Sequence, residues 1–212
     1  MIASPPWASL LLIGPTGSGK TPLGDELERR GLDGRRCAHF DFGRTLRSVA
    51  ADGGGAFGLT AKEEEAVRNS LDSGALFEDK DLPMIRKILA GFAQSRGLGP
   101  GDLLVLNGLP RHRGQAEALE GTLAMERVVS LEAEAKTIQE RIRRDTGGDR
   151  SGRTDDDLDS VTKRLEIYRS RTAPLLGYYR DRGVPVTAIR VTAAMTAGEM
   201  CDELGRDVHD GF

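Results

Sequence analysis

The apolar run Leu10-Leu11-Leu12-Ile13 passes directly into Gly14-Pro15-Thr16-Gly17-Ser18-Gly19-Lys20-Thr21. Four consecutive branched apolar residues closed by a glycine read as a buried strand, and the pattern beyond Thr21 reads as a helix. The glycine-rich segment therefore sits where a strand turns into a helix, and no other stretch limits the fold so tightly. Backbone N–H groups wrap a polyphosphate only where no Cβ intervenes, and Gly14, Gly17 and Gly19 remove those obstacles. Lys20 supplies a cation for β- and γ-phosphates, and Thr21 a hydroxyl for Mg²⁺. The helix that starts here adds its unpaired N–H groups and positive dipole end. Pro22 is tolerated in the first helical turn, where its missing N–H has no intrahelical partner. A chance turn is the plain alternative; the complete Gly-x-x-x-x-Gly-Lys-Thr pattern in this setting weighs against it, so residues 14–21 read as an ATP-binding Walker A loop.

A chain of 212 residues supports one well-buried core with an insertion or two, and a single domain is expected. The net charge of −3 gives no overall pull toward nucleic acid or membranes, so any positive site must be local. Cys37 and Cys201 are far apart and lack Cys-x-x-Cys spacing, which argues against zinc, fits a reducing cytosol, and leaves both as small buried apolar residues. The first residues carry no basic stretch followed by a long apolar run. No segment approaches the roughly 20 apolar residues that span a bilayer, so a cytoplasmic protein is expected.

Short apolar runs alternate with longer helical patterns, which implies a parallel sheet with crossover helices. Candidate strands lie at 9–14, 37–42, 102–107, 127–131 and 184–191. About 60 residues without a strand-like run separate the second and third. Helical patterns at 61–73 and 81–94 fill that interval, so a helical insertion is expected, with Gly53-Gly54-Gly55 before it and a glycine-rich turn at 97–101 after it. A polar, arginine-rich stretch at 146–153 precedes a helix capped near Asp155.

Three segments narrow the phosphate-binding reading. They are Phe42-Gly43-Arg44-Thr45-Leu46-Arg47 after the second strand, Asn107-Gly108-Leu109-Pro110-Arg111 with Gln115 after the third, and Ser151-Gly152-Arg153-Thr154-Asp155-Asp156 followed by 163–168 and 172–179. Their order and spacing resemble the adenylate kinase family of nucleoside monophosphate kinases over nearly the whole chain. The resemblance implies an α/β P-loop NTPase fold: a five-stranded parallel sheet, a core of 1–42, 101–144 and 155–212, a helical NMP-binding insertion at 43–100 and a short lid at 145–154. It also implies an enzyme that moves the γ-phosphoryl group of Mg-ATP to a nucleoside monophosphate, with AMP the first choice, and a monomer.

By that resemblance Arg47 and Arg111 hold the acceptor phosphate, with Gly43 and Gly108 beside them. Arg153 and Arg164 close over the donor phosphates, with Arg144 or Arg150 as a further lid contact. Gln115 reads the acceptor base, together with backbone groups near Ala75 and Phe77. A guanidinium suits such work because its planar fork binds two phosphate oxygens while staying charged. Any one of these arginines alone would read as a solvated surface charge. Asp155 and Asp156 serve as helix cap and lid hinge. Tyr168, Tyr178 and Tyr179 read as packing for a long helix, and His39, His112 and His209 as structural or exposed.

Asn107 stands where the family usually has an aspartate that helps hold Mg²⁺ through water. Phe42 and Arg44 stand where a threonine and an aspartate are usual, which implies an acceptor pocket richer in aromatic surface and more positive. Thr21-Pro22-Leu23 replaces the common Gly-Thr pair after the loop lysine. Asp41, at the carboxyl end of the second strand, is a candidate for the carboxylate that Asn107 lacks; a helix cap or a partner for Arg44 are the alternatives. UMP or CMP kinase activity, another small-molecule kinase, and a non-catalytic nucleotide-binding module remain open beside AMP. Nucleic-acid-modifying prenyltransferases share the loop but not the later motifs.

Overall fold

The computed structural model describes residues 6–149 and 158–206. Its strands are β1 (Trp7–Ile13), β2 (Cys37–Asp41), β3 (Leu103–Asn107), β4 (Leu123–Glu132) and β5 (Val186–Arg190), all parallel in the order β2-β3-β1-β4-β5. Its helices are α1 (Lys20–Arg30), α2 (Phe42–Asp52), α3 (Ala61–Ser73), α4 (Leu82–Ser95), α5 (Arg113–Ala118), α6 (Ala135–Arg144), α7 (Leu158–Ile167), α8 (Leu175–Arg180) and α9 (Ala197–Arg206). This is the five-stranded α/β architecture that the alternating pattern implies.

The central strand explains why its sequence is apolar without interruption. Side chains alternate between the two faces of a strand, and a parallel sheet covered by helices on both sides buries both sets. Leu11 and Ile13 join Phe40, Leu104 and Leu106 under α4, whereas Leu10 and Leu12 join Val105 and Ile189 under α1 and α9. Each leucine so buried contributes about 1.5–3 kcal/mol of transfer free energy.

Strand limits differ from the expected ones for local reasons. β4 begins at Leu123 rather than 127, pairing its first residues with Trp7, Ala8 and Ser9, and the register shifts between Ser9 and Leu10. Glu126 is the extra residue of that bulge, and with Arg127 it interrupts the apolar signal. β2 stops at Asp41 because the Asp41 side chain accepts from the Arg44 N–H at 2.8 Å and caps α2. The long helix expected around Tyr168 is broken instead: Tyr168–Thr172 form a π-turn in which Ala173 N–H donates to Tyr168 O. Pro174 follows at once and cannot donate an N–H, so the wider turn hands the chain on to α8.

Arg44 does not make the cleft more positive. Its guanidinium forks onto both carboxylate oxygens of Asp25 on α1, at 3.0 and 2.9 Å. Asp25 also sits 2.8 Å from Nδ1 of the buried His39, and burial is opposed by these two partners, which hold its carboxyl well below the usual range. The His39 ring lies flat against α1 where Gly24 has no side chain; a Cβ there would stand 2.2 Å from Nε2. His112 caps α5 and its Nε2 meets Phe77 O at 3.1 Å, so it too is structural, whereas His209 lies outside the described residues.

Candidate active site

The chain leaves β1 to one side toward β2 and crosses from β3 to β4 on the other, so a crevice opens at the carboxyl ends of β1 and β3. A cleft of about 280 Å³ lies there, running from the glycine-rich loop past Asp41 and Asn107 to Arg47, Arg111 and the 74–77 turn. Within the loop, Gly17 and Gly19 take φ values of 81° and 99°, a conformation that side chains disfavour. Lys20 opens α1, and its Nζ donates to Gly14 O at 2.7 Å and Pro15 O at 2.8 Å.

The loop rests on a buried arginine that the sequence reading passed over. Arg141 is 3% exposed and donates to the carbonyls of Gly17 (3.3 Å), Thr192 (2.7 Å) and Met195 (2.7 Å). Burial pushes its guanidinium below the usual arginine range. A signal was present: Ile138, Arg141 and Ile142 share one helical face by spacing, so an arginine interrupts an apolar stripe.

At the next position, Thr21 Oγ1 donates to Asp41 Oδ2 at 2.7 Å, and Asn107 Nδ2 donates to both Thr21 Oγ1 and Asp41 Oδ2 at 3.0 Å. Asp41 and Asn107 are register partners on adjacent strands, which brings them together. Asp41 thus caps α2 and faces the loop at once, and it is not the partner of the Arg44 guanidinium. Among the described residues no group of three or more His, Cys, Asp or Glu converges. A hard cation here would draw on the Thr21 hydroxyl, the Asp41 carboxylate and the oxygens of its own ligand, which suits Mg²⁺, an ion that keeps water and phosphate oxygens around it.

Across the cleft, Arg47 projects from α2 and Arg111 follows β3. Among the described residues no carboxylate pairs with either guanidinium. Desolvation, and then the neighbouring Arg164, push Arg111 below the usual arginine range. Arg164 itself reaches Thr16 Oγ1 in the loop at 3.5 Å. Guanidinium groups gathered on one cleft repel one another, and a bound anion relieves that repulsion. The Arg111 backbone is held at both ends: its N–H donates to Gln115 Oε1 at 2.8 Å, and its carbonyl accepts from Thr172 Oγ1 at 2.8 Å.

Gln115 is buried, and its Nε2 donates to Phe77 O at 2.9 Å, so both ends of the amide are engaged within the protein. Ala75 and Phe77 line the cleft with Gly43 and Gly108, and Phe42 lies 5.8 Å from Phe77 between ring centres. Tyr168 also lines the cleft rather than only packing the helix, whereas Tyr178 and Tyr179 pack edge to face in the core. Arg144 is not brought to the cleft: it is exposed on the outer face of α6, paired with Glu140 one turn back. Arg150, Arg153, Asp155 and Asp156 lie outside the described residues.

A sequence-family model described as an AAA domain matches residues 13–162. Adenylate kinase of Xanthomonas campestris pv. campestris (strain 8004) is 33% identical over 205 residues, covering 93% of this chain and 97% of that protein. Adenylate kinase of Xylella fastidiosa (strain M23) is 35% identical over 183 residues, covering 82% of this chain and 87% of that protein. Similarity of this kind over more than nine-tenths of the chain leaves one assignment, and the chain belongs to the adenylate kinase family.

Proposed function

We propose that this chain transfers the γ-phosphoryl group of Mg-ATP to a nucleoside monophosphate, with AMP as the preferred acceptor. Loop residues Gly14 to Thr21 and the N-terminus of α1 grip the donor phosphates, with Lys20 turning from the loop carbonyls to the β- and γ-oxygens. Arg47 and Arg111 hold the acceptor phosphate against Gly43 and Gly108, and the 43–100 segment forms the acceptor-binding arm. Arg164, with Arg153 and Arg150 or Arg144 from the 145–154 lid, closes over the group in transit. Arg144 leaves Glu140 if it takes part. Thr21 and Asp41 supply the protein oxygens toward Mg²⁺, which neutralises charge on the donor phosphates when bound.

The observation that carries this proposal is that Arg47, Arg111 and Arg164 line one cleft with the glycine-rich loop, where Arg164 reaches Thr16 Oγ1 at 3.5 Å. In the reaction an oxygen of the acceptor phosphate bonds to Pγ while the bond from Pγ to the β,γ-bridging oxygen breaks, giving ADP and a nucleoside diphosphate. The acceptor oxygen is already ionised near neutral pH, so positioning and charge neutralisation suffice without a general base. His39 and His112 are committed elsewhere. Buried free thiols at Cys37 and Cys201 suit a cytoplasmic monomer.

A second reading, UMP or CMP as acceptor, is favoured by the engaged Gln115 amide and by Phe42 on the cleft wall. Separate incubation with Mg-ATP and each nucleoside monophosphate, with the diphosphates measured, tests both. Fastest turnover with AMP is expected; fastest turnover with UMP or CMP selects the second reading, and saturable ATP binding with no diphosphate from any acceptor overturns the kinase proposal.

A further inference from the structure

Thr21, Asp41 and Asn107 are 9%, 7% and 6% exposed, so their hydrogen bonds are set by the fold rather than averaged by solvent. A hydroxyl has one proton and two lone pairs. Thr21 gives its proton to Asp41 Oδ2 and one lone pair to Asn107 Nδ2, which leaves a single lone pair for a cation in the cleft that Thr21 lines. The other Asp41 oxygen is fixed by the Arg44 N–H. Asp41 and Asp149 are the acidic residues on the cleft wall, and Asp41 is the one in contact with Thr21.

We propose that Asn107 is a positioning residue: it and Asp41 form a pair that carries one negative charge, and the Asn107 amide directs both the Thr21 hydroxyl and the Asp41 carboxylate toward the magnesium nucleotide. The proposal rests on the Mg-ATP reading of the cleft and adds what position 107 must be. Asn107 Nδ2 lies 3.0 Å from Asp41 Oδ2, so a carboxylate oxygen in its place would face a like charge at hydrogen-bond distance. Such a carboxylate would also take away the N–H groups that now reach both Thr21 and Asp41. An acid at 107 beside an acid at 41 sets two like charges in contact, so the charge belongs on β2 or on β3 but not on both. Exchange of the two side chains keeps one acid and one amide in contact, and asparagine also caps helices well, so α2 retains its start.

The test uses the full chain and calorimetric binding of ATP, with Mg²⁺ and with a chelator, alongside thermal melts. Asn107→Asp and Asp41→Asn are each expected to reduce the Mg²⁺-dependent gain in ATP affinity by about tenfold or more, as loss of a partner around a metal ligand does. The double exchange should recover most of the lost gain. Asn107→Ala removes the donors without adding charge and must show the same direction of loss if Asn107→Asp does not fold. An unchanged or stronger Mg²⁺ effect in either single variant, or a double variant no better than the weaker single, overturns the proposal. If the affinities follow this pattern while no nucleoside monophosphate is phosphorylated, the kinase reading fails and the pairing stands.

Discussion

The glycine-rich loop and the helix α3 across the cleft from it are built to different standards. The donor loop emerges from the central strand and is seated on Arg141, Ile138, Ile142 and Met200, and α1 behind it buries Leu23 and Leu27 completely. Opposite it, α3 buries only Val67 and is held at its N-terminal end, by the Thr60 and Glu63 capping box and by the Lys87 ammonium on Glu63 at 2.9 Å. α4 is as firmly seated as α1, with Met84, Ile85, Ile88, Leu89, Phe92 and Ala93 all buried. The contrast teaches that the glycine-rich loop is preformed, while α3 is tied on by few apolar contacts and by exposed ions, which places it at the low end of local stability.

Kinetics should expose the contrast most sharply. Lys20→Ala is expected to lower kcat by about 100- to 1000-fold, as removal of one preorganised donor to the transferring group does. Arg111→Ala should instead raise the acceptor KM steeply while ATP affinity, measured calorimetrically, stays near the parent value. Equal loss of both affinities in Arg111→Ala would show that the two sides are not separable. Stability provides the next effect in size: Leu27→Ala should cost about 2–5 kcal/mol in denaturant titration, and Val67→Ala clearly less, because α3 has room to settle. A larger cost at Val67 would mean that α3 is seated as firmly as α1.

The smallest effect concerns pH. The Lys87 ammonium, then the Thr60 N–H, hold Glu63 down at about 2 against an ordinary value of 4.5. A carboxylate depressed in the folded state stabilises above its unfolded value and loses that contribution as pH falls through the folded one. Amide exchange in α3 should therefore accelerate as pH drops from about 4.5 toward 2, beyond the intrinsic trend, and Glu63→Gln should show the faster exchange already at neutral pH.

Local patterns carried the sheet, the glycine loop and the limits of α3, since apolar alternation, glycines and a Thr60-Glu63 capping box are written within a few residues of where they act. What escaped depends on partners remote in sequence. Arg141 meets carbonyls 51 and 54 residues away, and nothing near it marks those acceptors. Arg44 is near the cleft in sequence, yet Asp25, 19 residues earlier, draws it off. Asp41 was legible as either a cap or a site carboxylate; both roles coexist because its two oxygens point to different neighbours. Gln115 and Tyr168 were placed at the cleft and in the helix by motif alone, and only the fold shows the amide spanning Phe77 and Arg111 and the ring reaching the cleft wall.

The His39 ring lying on the bare backbone of Gly24 has an evolutionary consequence. One strand supplies the bulk that its neighbouring helix omits, so the two positions share a single volume and are not free to drift independently. Any lineage that gains a methyl group at 24 must first shrink the residue at 39, and would then release Asp25 from one of its two partners, leaving Arg44 as its remaining tie.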